Sequence, residues 1–148
     1  MLYFAYGSNL NWHQMKKERC SGSKYICSHT LKGYKLCFSH KTNSSIYGHA
    51  NIVKSKKSKV LGALWRITKK NEKELDRYEG VDYNYYYKEY FTYRGQKILF
   101  YIQKTYYLKK PNSTYLHTII NGYKDCGLDL SYLKKKLSNY KINYKITW

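Results

Sequence analysis

The chain has 148 residues, 43% of them apolar and 18% aromatic, enough for one domain with a real core and too few for two ordinary ones. Lysine and arginine number 28 against 9 aspartates and glutamates, a formal charge of +19 with histidine neutral. With that many aromatics and a single proline the chain is expected to fold, because highly charged chains stay disordered chiefly when they lack apolar surface to bury.

Such a charge attracts polyanions, although twenty tyrosines beside abundant lysine and asparagine are also what an A/T-rich coding sequence writes. The N-terminus MLYFAYGSNL has no basic leader and only a six-residue apolar run, so it does not read as a signal peptide. No apolar stretch reaches the ~18 residues of a membrane span. Cys20, Cys27, Cys37 and Cys126 form neither a CxxC pair nor a zinc pattern with the histidines, and are expected as free thiols in a reducing cytoplasm. No metal or cofactor is implied.

Leu2 to Tyr6 is an apolar, aromatic run stopped by Gly7-Ser8-Asn9, the pattern of a buried strand entering a tight turn. Asn9 or Asn11 then caps a helix over about 11–19, carrying Trp12 and Met15. Short strands are predicted at about 24–30, 33–39 and 49–53, broken near Gly33 and by a polar loop over 41–48. Val60 to Ile67 is the most apolar run, and Thr68 caps a helix over about 69–78 that Gly80 stops. Aromatic runs at 85–93 and 96–104 joined by Arg94-Gly95 form an antiparallel hairpin. Leu116, Ile119, Ile120 and Tyr123 follow the period of an amphipathic helix capped by Ser113 and closed near Gly127, and a shorter helix runs through Tyr132, Leu133 and Leu137. Residues 139–148 are basic and aromatic, either a docked strand or a loose tail. The order of elements gives an α+β fold with a mostly antiparallel or mixed sheet, closed as a small barrel.

Two segments carry chemistry. The turn Tyr6-Gly7-Ser8-Asn9-Leu10 sits at a strand-to-helix junction, where a glycine lets backbone approach a ligand and the following N–H groups offer an anion site. Ser8 is not a nucleophile of the GxSxG kind and has no histidine placed as its base. Six of the nine carboxylates fall between Glu72 and Glu89. Glu72, Glu74 and Asp76 read as a solvated helix face. Glu79 lies at a helix C-terminus, which disfavours an anion, between Tyr78 and Gly80; if aromatic side chains bury it, its pKa rises towards neutrality, as a carboxylate base requires. His13, His29, His40, His49 and His117 form no pair at ligand spacing and read as surface or locally bonded.

Tyr3 to Leu10 together with Leu75-Asp76-Arg77-Tyr78-Glu79-Gly80-Val81 resembles the gamma-glutamylcyclotransferase family. Gly48 to Val53, Val60 to Trp65, Tyr115 with Ile119-Ile120-Asn121-Gly122, and Cys126-Gly127-Leu128 continue the likeness over residues 2–137. The resemblance implies a small closed β-barrel with flanking helices and a cavity at one end. It also implies an enzyme without metal or cofactor that converts γ-glutamyl compounds into 5-oxoproline and a released amino acid or amine. Glu79 is then the acid/base, and Tyr3, Phe4, Ala5, Tyr6, Gly7, Ser8 and Asn9 bind the glutamyl part. Tyr101 and Tyr115 correspond to cavity tyrosines. The domain occupies residues 1–138, followed by the 139–148 tail. Asp82 to Tyr85 lacks the glycine-tyrosine pair often found after the family's glutamate, and Lys124-Asp125-Cys126 departs from its small and acidic residues, which leaves substrate choice open. The alternatives are a cyclotransferase for γ-glutamylamines or a larger γ-glutamyl conjugate, and a non-catalytic nucleic-acid-binding protein on the same fold. The last ranks below the enzyme because the charge is spread along the chain without a recognised module. Whether the protein is a monomer or a homodimer is open.

Overall fold

A computed structural model describes all residues, 1–148. The apolar run at the N-terminus is strand β1 (Leu2–Ala5), buried along its whole length. Two long strands follow, β2 (Lys24–His40) and β3 (His49–Arg66). Their register slips between Tyr25 and Cys27 and again between Lys32 and Tyr34, so the predicted separate strands are two bent ones. Such slips curl a sheet by adding local twist. Helix α1 (Lys69–Tyr78) is capped by Thr68, whose side chain accepts the Asn71 N–H while Asn71 caps the Thr68 N–H in return. The hairpin of β4 (Tyr87–Tyr93) and β5 (Gln96–Ile102) turns at Arg94-Gly95, both with positive φ, as a two-residue hairpin requires. A two-residue strand β6 (Tyr107–Leu108) precedes α2 (Ser113–Cys126) and α3 (Leu130–Leu137). Asn112, rather than Ser113, caps α2 by accepting the Tyr115 N–H.

The six strands form one mixed sheet in the order β4-β5-β1-β3-β2-β6. β1 lies at its centre, antiparallel to β3 and parallel to β5. The α+β class and the mixed sheet with flanking helices are as expected. The sheet is a half-barrel rather than a closed ladder, since its edge strands β4 and β6 do not pair. Side chains cover the gap instead. His29 of β2 stacks on Phe91 of β4, and Gln103, just past β5, bonds Ser39 of β2 and Asn51 of β3. The core centres on Phe4, Phe38, Trp65, Phe100 and Tyr123.

The predicted helix over 11–19 is instead a 3-10 turn (Ser8–Leu10) followed by a π-helical segment (Gln14–Arg19). Residues 139–148 form no strand but lie along the body, with Tyr140, Ile142, Tyr144, Ile146 and Trp148 packed against the core. The Phe38 N–H donates to the Tyr140 hydroxyl at 2.7 Å, and the Tyr144 hydroxyl donates to the Pro111 carbonyl at 2.6 Å. No helix is long and apolar enough to cross a membrane. All four cysteines are free, and only Cys27 is exposed.

Candidate active site

The C-terminus of β1 delivers the Tyr6-Gly7-Ser8-Asn9 turn to one end of the half-barrel, and the C-terminus of α1 delivers Glu79 to the same place. Gly80, with φ of 64°, ends the helix in the left-handed conformation that glycine adopts without strain. The chain then folds back so that the Tyr86 N–H donates to the Glu79 carbonyl at 3.2 Å. Between these segments lies a cavity of about 210 Å³, walled by Tyr3, Tyr6, Tyr85, Tyr86, Tyr101 and Tyr115.

Glu79 lines this cavity with its side chain surrounded by protein and only part of its surface accessible. Burial lifts its carboxyl to a pKa of about 7, and the nearby Arg19 guanidinium opposes that rise. The Asn9 amide lies between two groups of the site, donating to the Tyr3 hydroxyl at 3.0 Å and reaching Glu79 Oε1 at 3.5 Å. Asn9 is itself fixed by Gln14, whose Nε2 donates to Asn9 Oδ1 at 2.9 Å and to Ser8 Oγ at 2.8 Å. Gly7 is required by space: a Cβ there would lie 2.9 Å from the Ala50 Cβ and 3.4 Å from the Tyr115 hydroxyl.

The tyrosines are held individually. Tyr6 donates its hydroxyl to the Tyr101 carbonyl at 2.6 Å, and Tyr101 donates its own to Asp76 Oδ1 at 2.8 Å. Lys88 bonds Glu72 at 2.6 Å and Asp76 at 3.0 Å, so these two acids are not the plain solvated face expected. They anchor a wall of the cavity. Tyr115 accepts the Ala50 N–H at 2.9 Å, and Tyr3 accepts from Asn9. The Tyr3 hydroxyl proton has no protein acceptor and is left as a donor to the cavity, and the Ser8 hydroxyl lies beside that of Tyr115. Burial raises the pKa of both tyrosines, keeping them protonated.

Of the expected site residues, Tyr3, Phe4, Tyr6, Gly7, Ser8, Asn9, Glu79, Tyr101 and Tyr115 all line this one cavity. Phe4 does so from the fully buried core, where its ring meets His29 and Phe91. Ala5 does not reach the wall; it is a buried strand residue opposite Ala63. Sequence reading missed Gln14, Arg19, Ala50, Tyr78, Tyr85 and Tyr86 and gave His49 no role here. His49 bonds the Tyr85 hydroxyl through Nδ1, and burial together with His40 lowers its pKa. Tyr85 and Tyr86 stand in the segment already marked by Glu79, whereas nothing local in the sequence points to Arg19 or His49. No group of three or more potential metal ligands occurs.

A polar loop, a carboxylate whose pKa burial lifts to about 7 and tyrosine hydroxyls around a small cavity open at one side suit proton transfer on a small polar substrate. Comparisons with known proteins point the same way. The profile of the AIG2-like family matches residues 59–136. Gamma-glutamylcyclotransferase of Homo sapiens is 33% identical over 143 residues, covering 90% of this chain and 76% of the relative. That of Bos taurus is 33% identical over 153 residues, covering 97% and 81%. A solved structure of a gamma-glutamyl cyclotransferase superposes with a TM-score of 0.82 at 30% identity, covering 99% of this chain and 93% of the other. YkqA from Bacillus subtilis shares the fold at a TM-score of 0.74 and 21% identity, covering 94% of this chain and 53% of that one.

Proposed function

This chain belongs to the gamma-glutamylcyclotransferase family, and from that membership we propose that Glu79 is the acid/base of an intramolecular cyclisation that releases 5-oxoproline. The enzyme acts on a small γ-glutamyl compound. The substrate's α-amine attacks its own γ-carbonyl carbon, so a C–N bond forms within a five-membered lactam and the bond to the departing nitrogen breaks. No protein nucleophile is needed, because an amine held near its carbonyl already has the large advantage of an intramolecular reaction.

The protein supplies proton transfer and a place for negative charge. Glu79 takes a proton from the α-ammonium and passes it to the leaving nitrogen, and the second proton that the attacking nitrogen sheds as the lactam forms follows by the same carboxylate, so the departing group leaves as its ammonium. A carboxyl with a pKa of about 7 suits both steps, since near neutral pH it is a stronger base than an ordinary carboxylate and still a usable acid. The Gly7 and Ser8 N–H groups, with the Tyr3 and Tyr115 hydroxyls, hold the substrate carboxylate and the oxyanion that develops on the γ-carbonyl. The tyrosine walls restrict water.

Residues 1–138 are the proposed cyclotransferase domain, with 139–148 laid against it. Four free thiols suit a reducing compartment, and we place the enzyme in the cytoplasm with a role in the turnover of glutathione-type γ-glutamyl compounds. The single observation that carries the mechanism is the convergence of the YGSN turn and the buried Glu79 on one cavity. The test is to incubate the purified protein with γ-glutamyl amino acids, γ-glutamylamines and glutathione and to follow 5-oxoproline by mass spectrometry. Product from at least one of them supports the reading, and none from any refutes it for small substrates.

A further inference from the structure

Arg19 is the one cation among the residues lining the cavity. Its guanidinium forms no ion pair and donates to no protein acceptor, although it is half-buried. It is nonetheless held in place. Its central carbon lies 4.0 Å from the centroid of the Tyr78 ring, a cation–π contact, and Arg77 approaches the same ring at 5.5 Å. Tyr78 is 47% exposed, whereas Tyr3, Tyr6, Tyr86 and Tyr101 are all buried. The Arg19–Tyr78 pair therefore stands at the mouth, whereas Tyr6 and Asn9 of the turn and these tyrosines around Glu79 are buried.

A guanidinium fixed on an aromatic face with all its donors free is built to take a planar anion. With the glutamyl part held at the turn and the reacting bond at Glu79, the group nearest the mouth is the departing one. An amino acid leaving group carries a carboxylate on the carbon next to the departing nitrogen; a simple amine leaving group does not. We infer that Arg19, steadied by Tyr78, binds the carboxylate of the departing amino acid and so selects γ-glutamyl amino acids over neutral γ-glutamylamines. This rests on the cyclotransferase reading above.

The test uses three substrates differing at that one group: γ-glutamylalanine, γ-glutamylalaninamide and γ-glutamylethylamine. For each, kcat/KM is measured with the wild type, Arg19→Lys and Arg19→Gln. The wild type is expected to prefer γ-glutamylalanine. Arg19→Gln is expected to reduce that preference about 10- to 100-fold, chiefly through KM, the size expected for hydrogen bonds to a charged partner. Lysine keeps the charge without the fork and is expected to retain part of the preference. Arg19 also acts on Glu79 electrostatically, but that effect falls on all three substrates alike and cancels in the ratio. An unchanged ratio in Arg19→Gln, or equal loss on all three substrates, overturns the assignment while leaving the reaction intact. Absence of 5-oxoproline from every substrate with the wild type overturns the reaction itself and this inference with it.

Discussion

Replacing Glu79 by glutamine is expected to stabilise the protein at pH 8 and to leave its stability at pH 4 unchanged. Burial holds the carboxyl at a pKa of about 7 against an ordinary 4.5. A carboxyl whose pKa is raised on folding favours the folded state while protonated. That contribution is fully present below pH 4.5, declines between 4.5 and 7, and is gone above 7. At about 1.4 kcal/mol per pH unit, the gap between 4.5 and 7 comes to about 3 kcal/mol, an upper limit because Glu79 faces cavity water. Glutamine keeps the shape without the charge and so removes this cost. In a protein of this length 1 kcal/mol corresponds to roughly 2–4 °C in Tm, which puts the gain at pH 8 at up to about 6–12 °C. Thermal unfolding of both proteins from pH 4 to pH 8 reads the difference directly. A difference that does not change with pH, or a variant less stable at pH 8, refutes the claim that Glu79 is a strained buried acid.

The pH–rate profile carries the same chemistry. Because the base form of Glu79 is the active one, kcat/KM is expected to rise about tenfold per pH unit below about 7 and to level off above it; a profile already flat at pH 5.5 contradicts the assignment. Gly7→Ala forces a Cβ to within 2.9 Å of the Ala50 Cβ. The turn must move, and kcat/KM is expected to fall on the order of 10²-fold with little change in circular dichroism, because small misplacements in a catalytic site are expensive. Wild-type rates in Gly7→Ala would show that the turn does not position the substrate.

The parts of the site legible in the sequence were those whose chemistry is written locally. Gly7 stops an apolar strand at a tight turn, and Glu79 is a carboxylate at a helix C-terminus beside a stop glycine, so both could be named from neighbours in the chain, although the contact with Ala50 that forces a glycine could not. The central placement of β1 could not, because its parallel pairing with β5 joins residues nearly a hundred apart. The lysine-rich stretch 54–59 hid the continuity of β3: its side chains lie mostly in solvent, so it lacks the apolar alternation that marks a strand. The π-helical segment 14–19 escaped because its polar sequence fits any helical turn, yet that geometry brings Gln14 to the loop and Arg19 to the cavity. Asp76 was misread for the same reason. On α1 alone it is a solvated acid, and only Tyr101 and Lys88, from another strand pair, make it an anchor.

The most direct test of the account is the rate of 5-oxoproline formation by Glu79→Gln beside the wild type, at pH 7.5 and on whichever γ-glutamyl substrate the wild type turns over best. Loss of at least ~10²-fold in kcat, in a protein that remains folded, is the predicted result. Turnover near the wild-type rate would contradict it.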